Sequence, residues 1–248
     1  MKALFVGDVH NHSYIFDDVK RLDKKYNFDR IIFLGDYVDD WNTTNKESSK
    51  TLLKVIELKE SNPIKYTFCL GNHELSYLGY PCSGHRFEND NIIEHLLKED
   101  INLFNMYTTI QLGDIKYYCS HAGFLNSYLE TIFPDIDDIK DYDKVLEKLN
   151  ENILQNLDKA SLCSYIRGGS HNCSSFLWAD KREFMYECNY EQEELMFYNQ
   201  IIGHTPVPNI DLDNNLIFID THSTYRDERP YGDKSYLAFI KNKFEILY

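Results

Sequence analysis

Six side chains of metal-binding types each follow directly after a short apolar run of the sequence. Mixed oxygen and nitrogen ligand sets suit manganese, iron or zinc, whereas calcium prefers oxygen alone. Six ligands exceed what one catalytic ion normally takes, so we expect two ions. A carboxylate can bridge two ions about 3.5 to 4 Å apart, and Asp36 is the expected bridge because it follows the middle one of three consecutive strands. The six residues are Asp8, His10, Asp36, Asn72, His121 and His204.

The elements that must position these residues begin with a βαβαβ pattern in the first third of the chain. The apolar runs KALFV, RIIFL and KYTFCL alternate with the helix-patterned segments YIFDDVKRLDKKY and KESSKTLLKVIELKES. Parallel strands that are buried on both faces have such continuous apolar runs, and right-handed crossovers bring their ends to one edge of the sheet. A glycine and a ligand-type side chain follow each run, in GDVH, GDYVDD and GNHE. The sequence therefore predicts that these three segments converge.

Further strands are predicted in the second half of the chain. TTIQL and IKYYCS form a predicted hairpin that turns at Gly113 and Asp114, and MFYNQII, LIFID and SYLAFI are three later strands. Residues 135–160 are charged and helix-patterned, and we interpret them as a helical insertion into a single domain over residues 1–248. The segment 161–175 is rich in Gly, Ser and Cys and is expected to be a long loop, a kind of segment that often carries function.

Charge and cysteine usage limit the classes of partner and compartment. The 40 acidic and 26 basic residues give a formal net charge of -14, which disfavours nucleic acid and anionic membranes because their phosphates would be repelled. Apolar runs of 18 residues are absent from the sequence, so no membrane-spanning helix is expected. The 6 cysteines show no CxxC spacing, and the N-terminal MKALFVGD is not expected to be a signal peptide. These features favour a cytoplasmic protein.

Five short motifs carry a resemblance to a known family. GDVH, GDYVDD, GNHE, SHAG and IGHTP, in this order, resemble the signature blocks of the calcineurin-like metallophosphoesterases. The similarity is to the bacterial or phage type of the branch that contains phosphoprotein phosphatases and symmetric diadenosine tetraphosphate hydrolases. It implies a four-layer α/β fold in which a two-sheet mixed β-sandwich is flanked by helices. It also implies one metal on Asp8, His10 and Asp36 and a second metal on Asp36, Asn72, His121 and His204.

The resemblance further implies a reaction and the residues that carry it. A hydroxide that bridges two divalent ions would attack phosphorus directly, and the ions would neutralise charge on the phosphoryl oxygens. His73 would protonate the leaving oxygen, and Asp39 would hold the His73 ring. We ourselves assign Glu74 to the support of the loop. The predicted function is hydrolysis of phosphomonoesters on a small molecule or a phosphoprotein, as in protein Ser/Thr phosphatases. Manganese is the first choice of metal, with iron, zinc, nickel or cobalt as alternatives.

The chain departs from the family pattern immediately after Asp39. Phosphoprotein phosphatases have Arg-Gly there, and the arginine clamps the phosphate, whereas this chain has Asp40-Trp41. The first candidate for a replacement is Arg182 in LWADKRE, which looks like the family's LWxR-type segment in a register shifted by two. Arg167 in YIRGG and Arg86 in SGHRFE are the other candidates.

The departure at Asp40 leaves two alternatives open. A phosphodiesterase or dinucleoside polyphosphate hydrolase would use the same two metals. A catalytically inactive binding module would keep the same fold without the reaction, although all six ligands and His73 are present in the sequence.

Overall fold

Two mixed β-sheets form the centre of the protein in a computed structural model, which describes residues 1–80, 90–135, 139–188, 199–212 and 215–248. The first sheet contains β1 (Ala3–Val6), β2 (Arg30–Phe33), β3 (Tyr66–Cys69), β4 (Phe104–Asn105), β9 (Tyr236–Ile240) and β10 (Lys243–Leu247), in the spatial order β10-β9-β1-β2-β3-β4. The second sheet contains β5 (Tyr107–Leu112), β6 (Ile115–Ser120), β7 (Gln200–Pro206) and β8 (Leu216–Asp220), in the order β5-β6-β7-β8.

Strands β1 to β4 are parallel, as the βαβαβ pattern predicts, and β9 and β10 extend that sheet in antiparallel fashion. In the second sheet β5 and β6 form the predicted antiparallel hairpin, while β7 and β8 run parallel to β6. The α/β expectation of two mixed sheets flanked by helices is confirmed. The expectation of a single domain stays a prediction.

The helices that accompany the sheets include the two predicted crossovers. They are α1 (Tyr14–Tyr26), α2 (Asn45–Ser61), α3 (Asn72–Tyr77), α4 (Asp90–Glu99), α5 (Asn126–Ile132), α6 (Ile139–Glu151), α7 (Leu157–Ala160) and α8 (Lys181–Tyr186). Helices α6 and α7 lie within the segment interpreted as a helical insertion, of which residues 136–138 are outside the described ranges. Short 3₁₀ turns occupy Ile101–Leu103, Ile153–Asn156 and Tyr165–Arg167. Helices long and apolar enough to cross a bilayer are absent from the described part of the chain.

The apolar core follows from the periodicity of the elements. Helix α1 buries Ile15, Phe16, Val19 and Leu22, which recur three or four residues apart and therefore lie on one face. Between the two sheets, side chains such as Phe5 from β1 pack with others from β6, β7 and β8 in one buried cluster. A sandwich packed in this way holds the strand ends of both sheets in fixed positions, because its interior is close-packed.

Candidate metal centre

The six predicted ligands come together at one edge of the fold, where strands of both sheets end. Five of them are at most 8% exposed, and the His10 side chain is 17% exposed. Buried polar groups of this kind need partners, which here are one another and the surrounding backbone. The structure places them as Asp8 and His10 after β1, Asp36 after β2, Asn72 at the start of α3, His121 after β6 and His204 within β7.

Asp36 lies at the centre of the cluster. Its Oδ2 atom is 3.6 Å from His10 Nε2 and 3.3 Å from His121 Nε2. Among the residues that the structure describes, two groups of side chains have potential ligand atoms within 4.8 Å of one another, and Asp36 belongs to both groups. One group adds His10 and His73, and the other adds His121 and His204. A carboxylate shared by two ligand groups is the arrangement that a bridge between two ions requires.

Hydrogen bonds to the backbone set the orientation of two of the imidazoles. His10 Nδ1 lies 2.8 Å from the carbonyl oxygen of Asp39, and His121 Nδ1 lies 2.8 Å from that of Leu34. A carbonyl can only accept, so each Nδ1 carries hydrogen and each Nε2 is the metal-binding atom of the neutral ring. His10 Nε2 is 3.7 Å from Asp8 Oδ2, on the side of Asp36.

The second imidazole group converges on one point. His121 Nε2 lies 2.9 Å from Asn72 Oδ1 and 3.0 Å from His204 Nδ1. The backbone N–H of His204 donates to Asp8 Oδ1 at 2.8 Å, which connects this group to the end of β1. His204 Nε2 is buried and lacks a hydrogen-bond partner among the described residues. Imidazole nitrogens and an amide oxygen that face one another in this way fit a cation of the transition-metal type.

The electrostatics of the metal-free cluster also fit a missing positive charge. Burial and the neighbouring Asp220 raise the pKa of Asp8 to about 8. Burial opposes the protonated form of His121, but the charges of Asp36 and Asp8 outweigh it and raise the His121 pKa to about 9. Burial also opposes ionisation of Asp36, yet the positive charge of His121 holds the Asp36 pKa well below its usual range. Protons therefore occupy positions that divalent cations would take over.

Glu74 organises the loop that presents Asp36. Its side chain is fully buried and accepts four backbone N–H groups, from Asp36 at 3.0 Å, Tyr37 at 2.8 Å, Val38 at 3.2 Å and Gly71 at 2.8 Å. Burial and the Asp36 charge raise the pKa of Glu74 to about 7, while the hydrogen bonds from Gly71 and Tyr37 favour the ionised form. The side chain thus holds two of the converging segments together, as the predicted loop support requires.

The backbone at the site is strained, and a glycine makes room for the bridge. His10, Asp36, Asp39 and His204 have φ of 42°, 51°, 60° and 59°, in the left-handed region that costs about 1 kcal/mol or more for a residue with a side chain. At Gly71 an added Cβ would lie 2.1 Å from Asp36 Oδ1, so only glycine fits. Strain of this kind persists because the hydrogen bonds around it are numerous, and it is common at active sites.

His73 forms a hydrogen-bonded pair with Asp39 beside the ligand cluster. His73 Nδ1 is 3.0 Å from Asp39 Oδ2, and the other carboxylate oxygen accepts from Tyr77 Oη at 2.6 Å. The His73 backbone N–H donates to Asp36 Oδ1 at 2.9 Å. Asp39 is only 1% exposed, whereas 17% of the His73 side chain is exposed, and both line a cavity of about 480 Å³. A carboxylate on Nδ1 leaves Nε2 as the atom that exchanges a proton with a substrate.

Arginines from two loops line the same cavity. Arg167, in the long loop after α7, lies with Nε 2.8 Å from Asp180 Oδ2 and donates to Thr205 Oγ1 at 3.2 Å. Arg226, in the loop after β8, also lines the cavity. Arg182 donates to both carboxylate oxygens of Asp180, at 2.8 and 3.0 Å, but its side chain is 66% exposed and is not part of the cavity wall.

Comparison with known proteins identifies the family. Residues 1–208 match the family model described as calcineurin-like phosphoesterase. The chain belongs to this family. A catalytic subunit of protein phosphatase 2A from Dictyostelium discoideum is 27% identical over 157 residues, which are 61% of this chain and 46% of the relative. The chain therefore spans about half the length of that curated relative.

Solved structures share the fold of this calcineurin-like phosphoesterase. The cold-active protein-tyrosine phosphatase of the psychrophile Shewanella sp. has a TM-score of 0.59 at 15% identity, over 100% of this chain and 80% of that chain. A protein serine/threonine phosphatase from Saccharomyces cerevisiae, with similarity to human phosphatase PP5, has a TM-score of 0.60 at 15% identity, over 100% and 79%. At such identities the likeness shows the fold alone.

Family membership confirms the resemblance that the five motifs carry. The family is dinuclear-metal dependent, and the two ligand groups that share Asp36 are the corresponding candidates in this calcineurin-like phosphoesterase. Among the predicted substrate-binding arginines the structure brings Arg167 to the cavity and leaves Arg182 outside it. The third candidate, Arg86, lies outside the described residues.

Several cavity residues of this family member were not predicted as site residues, among them Trp41 and Arg226. Trp41 differs from the family pattern, which gives no role to a residue of this type there, and Arg226 lies in a loop with no motif. A signal for Trp41 was its place two residues after Asp39 in a block that faces the metals. Arg226 had no comparable signal, because the loop after β8 is positioned by tertiary contacts.

Proposed function

We propose that this calcineurin-like phosphoesterase is a dinuclear-metal phosphatase that hydrolyses phosphomonoesters. The observation that carries the proposal is the position of Asp36 in both ligand groups, with the His73–Asp39 pair directly beside it. An inactive binding module would have no need for a hydrogen-bonded imidazole at the mouth of such a cluster. The phosphatase relative in Dictyostelium supports the same class of reaction.

In this proposal the ligands divide between two ions. Asp8 and His10 would hold one ion with Asp36, and the set for the other ion would be Asp36, Asn72, His121 and His204. Bound cations would supply a water of lowered pKa as nucleophile and would neutralise charge on the phosphoryl oxygens. Manganese is our first choice, since the mixed nitrogen and oxygen donors suit it.

His73 is the proposed general acid. Asp39 fixes the ring through Nδ1 at 3.0 Å, and Tyr77 in turn fixes Asp39. Nε2 would therefore give its proton to the departing oxygen of the substrate, and such a positioned acid typically accelerates a reaction by about 10² to 10⁴.

Arg167 is the proposed replacement for the phosphate-binding arginine that phosphoprotein phosphatases have at the position of Asp40. It lines the cavity, and its terminal nitrogen donates to Thr205 at 3.2 Å, next to the ligand His204. Asp180 lies 2.8 Å from the Arg167 Nε and so restricts the guanidinium group. Arginine recognises phosphate oxygens by paired, charge-assisted hydrogen bonds, and a restrained guanidinium loses less entropy on binding.

A second candidate is a phosphodiesterase or dinucleoside polyphosphate hydrolase with the same metals. The observation that favours it is Asp40, a carboxylate in the cavity wall where phosphoprotein phosphatases have an arginine.

We expect the partner to be a phosphorylated small molecule or protein. We also expect a cytoplasmic location, and the reduced, buried Cys69 and Cys119 support that location.

The test uses the metal-free protein reloaded with manganese. We expect hydrolysis of p-nitrophenyl phosphate to exceed that of bis-p-nitrophenyl phosphate and diadenosine tetraphosphate, and Asp36→Asn to abolish it. Because nitrophenolate is a good leaving group, the loss in His73→Ala should be larger for a phosphoserine peptide. If diesters are the better substrates, the second candidate is correct. A folded protein without activity on any of these substrates and with any divalent metal would refute the enzyme proposal.

A further inference from the structure

One side of the cavity is closed by two loops that are far apart in sequence. We name this feature the rim clasp and define it as residues 40–42 together with residues 223–228. Trp41 Nε1 donates to the carbonyl oxygen of Thr224 at 3.0 Å, and Asn42 Nδ2 donates to Glu228 Oε1 at 2.6 Å. Asp40, Trp41, Asn42 and Thr224 all line the cavity. The clasp is therefore a built wall of the site.

The indole of Trp41 is held in place and still accessible. The hydrogen bond from its ring nitrogen to Thr224 restricts the rotation of the side chain, while 43% of the residue remains exposed. An aromatic side chain with a fixed orientation binds other rings with little loss of conformational entropy. A large apolar surface that is kept in contact with solvent inside a cavity points to a ligand that covers it.

The clasp begins at the residue after Asp39 and lines the same cavity as His73, and we therefore assign it to the leaving group. Asp39 fixes the proposed general acid His73 by a bond of 3.0 Å. Trp41 is two residues further along the chain, so its Cα lies within about 7 Å of that of Asp39. Arg167 approaches from a different loop, next to Thr205. In this assignment, a ring bonded directly to the departing oxygen would contact the indole of Trp41. A ring several bonds away from that oxygen would lie beyond the indole.

The other half of the clasp contributes a cation. Arg226 lines the cavity, whereas Arg229 in the same loop donates to Asp227 at 2.7 Å and is not part of the cavity wall. In a chain with a formal net charge of -14, an arginine at the mouth of a cavity gives a local site for an anionic group. That group would belong to the substrate and lie next to the ring on Trp41.

We propose that the rim clasp is a leaving-group subsite that selects an aromatic ring bonded to the scissile oxygen, as in a phosphotyrosyl peptide. An acidic residue of the peptide next to the phosphotyrosine would bind Arg226. The proposal rests on the proposed phosphatase function and deepens it by naming the substrate class. A nucleoside monophosphate shares the stacking chemistry, but its base is separated from the phosphate by a sugar and would lie beyond Trp41.

The test compares two peptides of identical acidic sequence, one with phosphotyrosine and one with phosphoserine, together with adenosine monophosphate. For each enzyme the ratio of kcat/KM between the two peptides is compared with the wild-type ratio, which cancels the intrinsic reactivity of the esters. We expect Trp41→Ala to lower the tyrosine-to-serine ratio at least about 10-fold, mainly through KM, because ring stacking is lost. Trp41→Phe should restore most of the ratio. Tyr248→Ala, an exposed aromatic outside the cavity wall, should leave it unchanged.

Arg226→Ala provides the second arm, with Arg229→Ala as its matched control. We expect Arg226→Ala to raise KM about 5-fold or more for the acidic phosphotyrosine peptide, and to have a smaller effect when the acidic residues are replaced by glutamine. Arg229→Ala should behave as the wild type with both peptides.

Several outcomes would overturn the subsite proposal while the phosphatase function stands. In one, Trp41→Ala lowers both peptides equally, or Phe fails to rescue the ratio, which would mean that the ring is structural. In another, adenosine monophosphate loses more activity than the phosphotyrosine peptide, and the ring would then bind a nucleobase. A wild-type enzyme that hydrolyses no ester would refute the proposed function itself, and the subsite with it.

Discussion

Replacement of Glu74 by glutamine should destabilise the loop that carries Asp36, lower the melting temperature of the protein and weaken metal binding. Each carboxylate oxygen of Glu74 accepts two backbone N–H groups, Oε2 from Asp36 and Gly71 and Oε1 from Tyr37 and Val38. In Glu74→Gln one carboxylate oxygen is replaced by an NH₂ group, which cannot accept. The two backbone N–H groups that donated to that oxygen therefore lose their hydrogen bonds and face another donor. Each lost hydrogen bond to a charged acceptor contributes about 1.5 to 3 kcal/mol, which gives roughly 3 to 6 kcal/mol for two.

This loss is a large part of the total stability of about 5 to 15 kcal/mol that a domain normally has. We expect the melting temperature of the metal-free protein to fall by at least about 6 °C, since 1 kcal/mol shifts Tm by about 2 to 4 °C at this size. Measurement at pH 8 keeps the carboxyl ionised, because its pKa is about 7. Thermal melts and manganese titrations of the same samples report the two effects separately.

Glu187→Gln is the matched control. Glu187 is also a buried carboxylate, and it accepts the backbone N–H groups of Asn126 at 3.0 Å and Ser127 at 3.1 Å, away from the metal ligands. We expect it to lower Tm without a change in manganese affinity, whereas Glu74→Gln lowers both. If Glu74→Gln melts within about 2 °C of the wild type and binds manganese equally well, Glu74 does not organise the Asp36 loop.

Two further outcomes follow from the arginines and from the titrating groups of the site. Arg167→Ala should raise KM for a phosphomonoester at least about 10-fold, because Arg167 lines the cavity. Arg182 contacts the same carboxylate, Asp180, from outside the cavity, so Arg182→Ala should change KM less than about 3-fold. Equal effects would show that the contact with Asp180, and not the position in the cavity, determines KM. Manganese affinity should rise from pH 6 to pH 9, because Asp8 and His121, with pKa values raised to about 8 and about 9, must lose protons before they bind. Because both pKa values are raised in the folded state, the folded metal-free protein binds more protons than the unfolded chain between pH 6 and pH 9, and its Tm should fall over this range. The increase in Tm on addition of manganese should grow over the same range. A flat pH profile of affinity by calorimetry would contradict this.

Much of the fold and of the ligand cluster could be predicted because local sequence determines it. The runs KALFV, RIIFL and KYTFCL are continuous and apolar, and they became β1, β2 and β3 with the predicted parallel pairing. Parallel pairing brings the residues after those strands to one edge, so Asp8, Asp36 and Asn72 were expected to meet. The hairpin that leads to His121 was visible from its turn at Gly113.

Other features depend on contacts that periodicity does not show. The predicted strand MFYNQII begins in residues outside the described ranges, and β7 continues through Gly203 to Pro206, so His204 lies within the strand and not after it. The short β4 and the terminal β10 were not predicted, since pairing with β3 and β9 defines them. Likeness to the family's LWxR-type segment favours Arg182 over Arg167. The path of the long loop, which the sequence pattern does not specify, places Arg167 at the cavity.

The central claim is that this chain holds two metal ions through Asp36, and the metal content of the purified protein after reloading with manganese tests it most directly. We expect about two ions per wild-type chain, at most one per Asp36→Ala chain, and two for Asp40→Asn, a cavity carboxylate outside both ligand groups. A wild-type chain that holds one ion or none, or an Asp36→Ala chain that holds two with unchanged affinity, would contradict the claim.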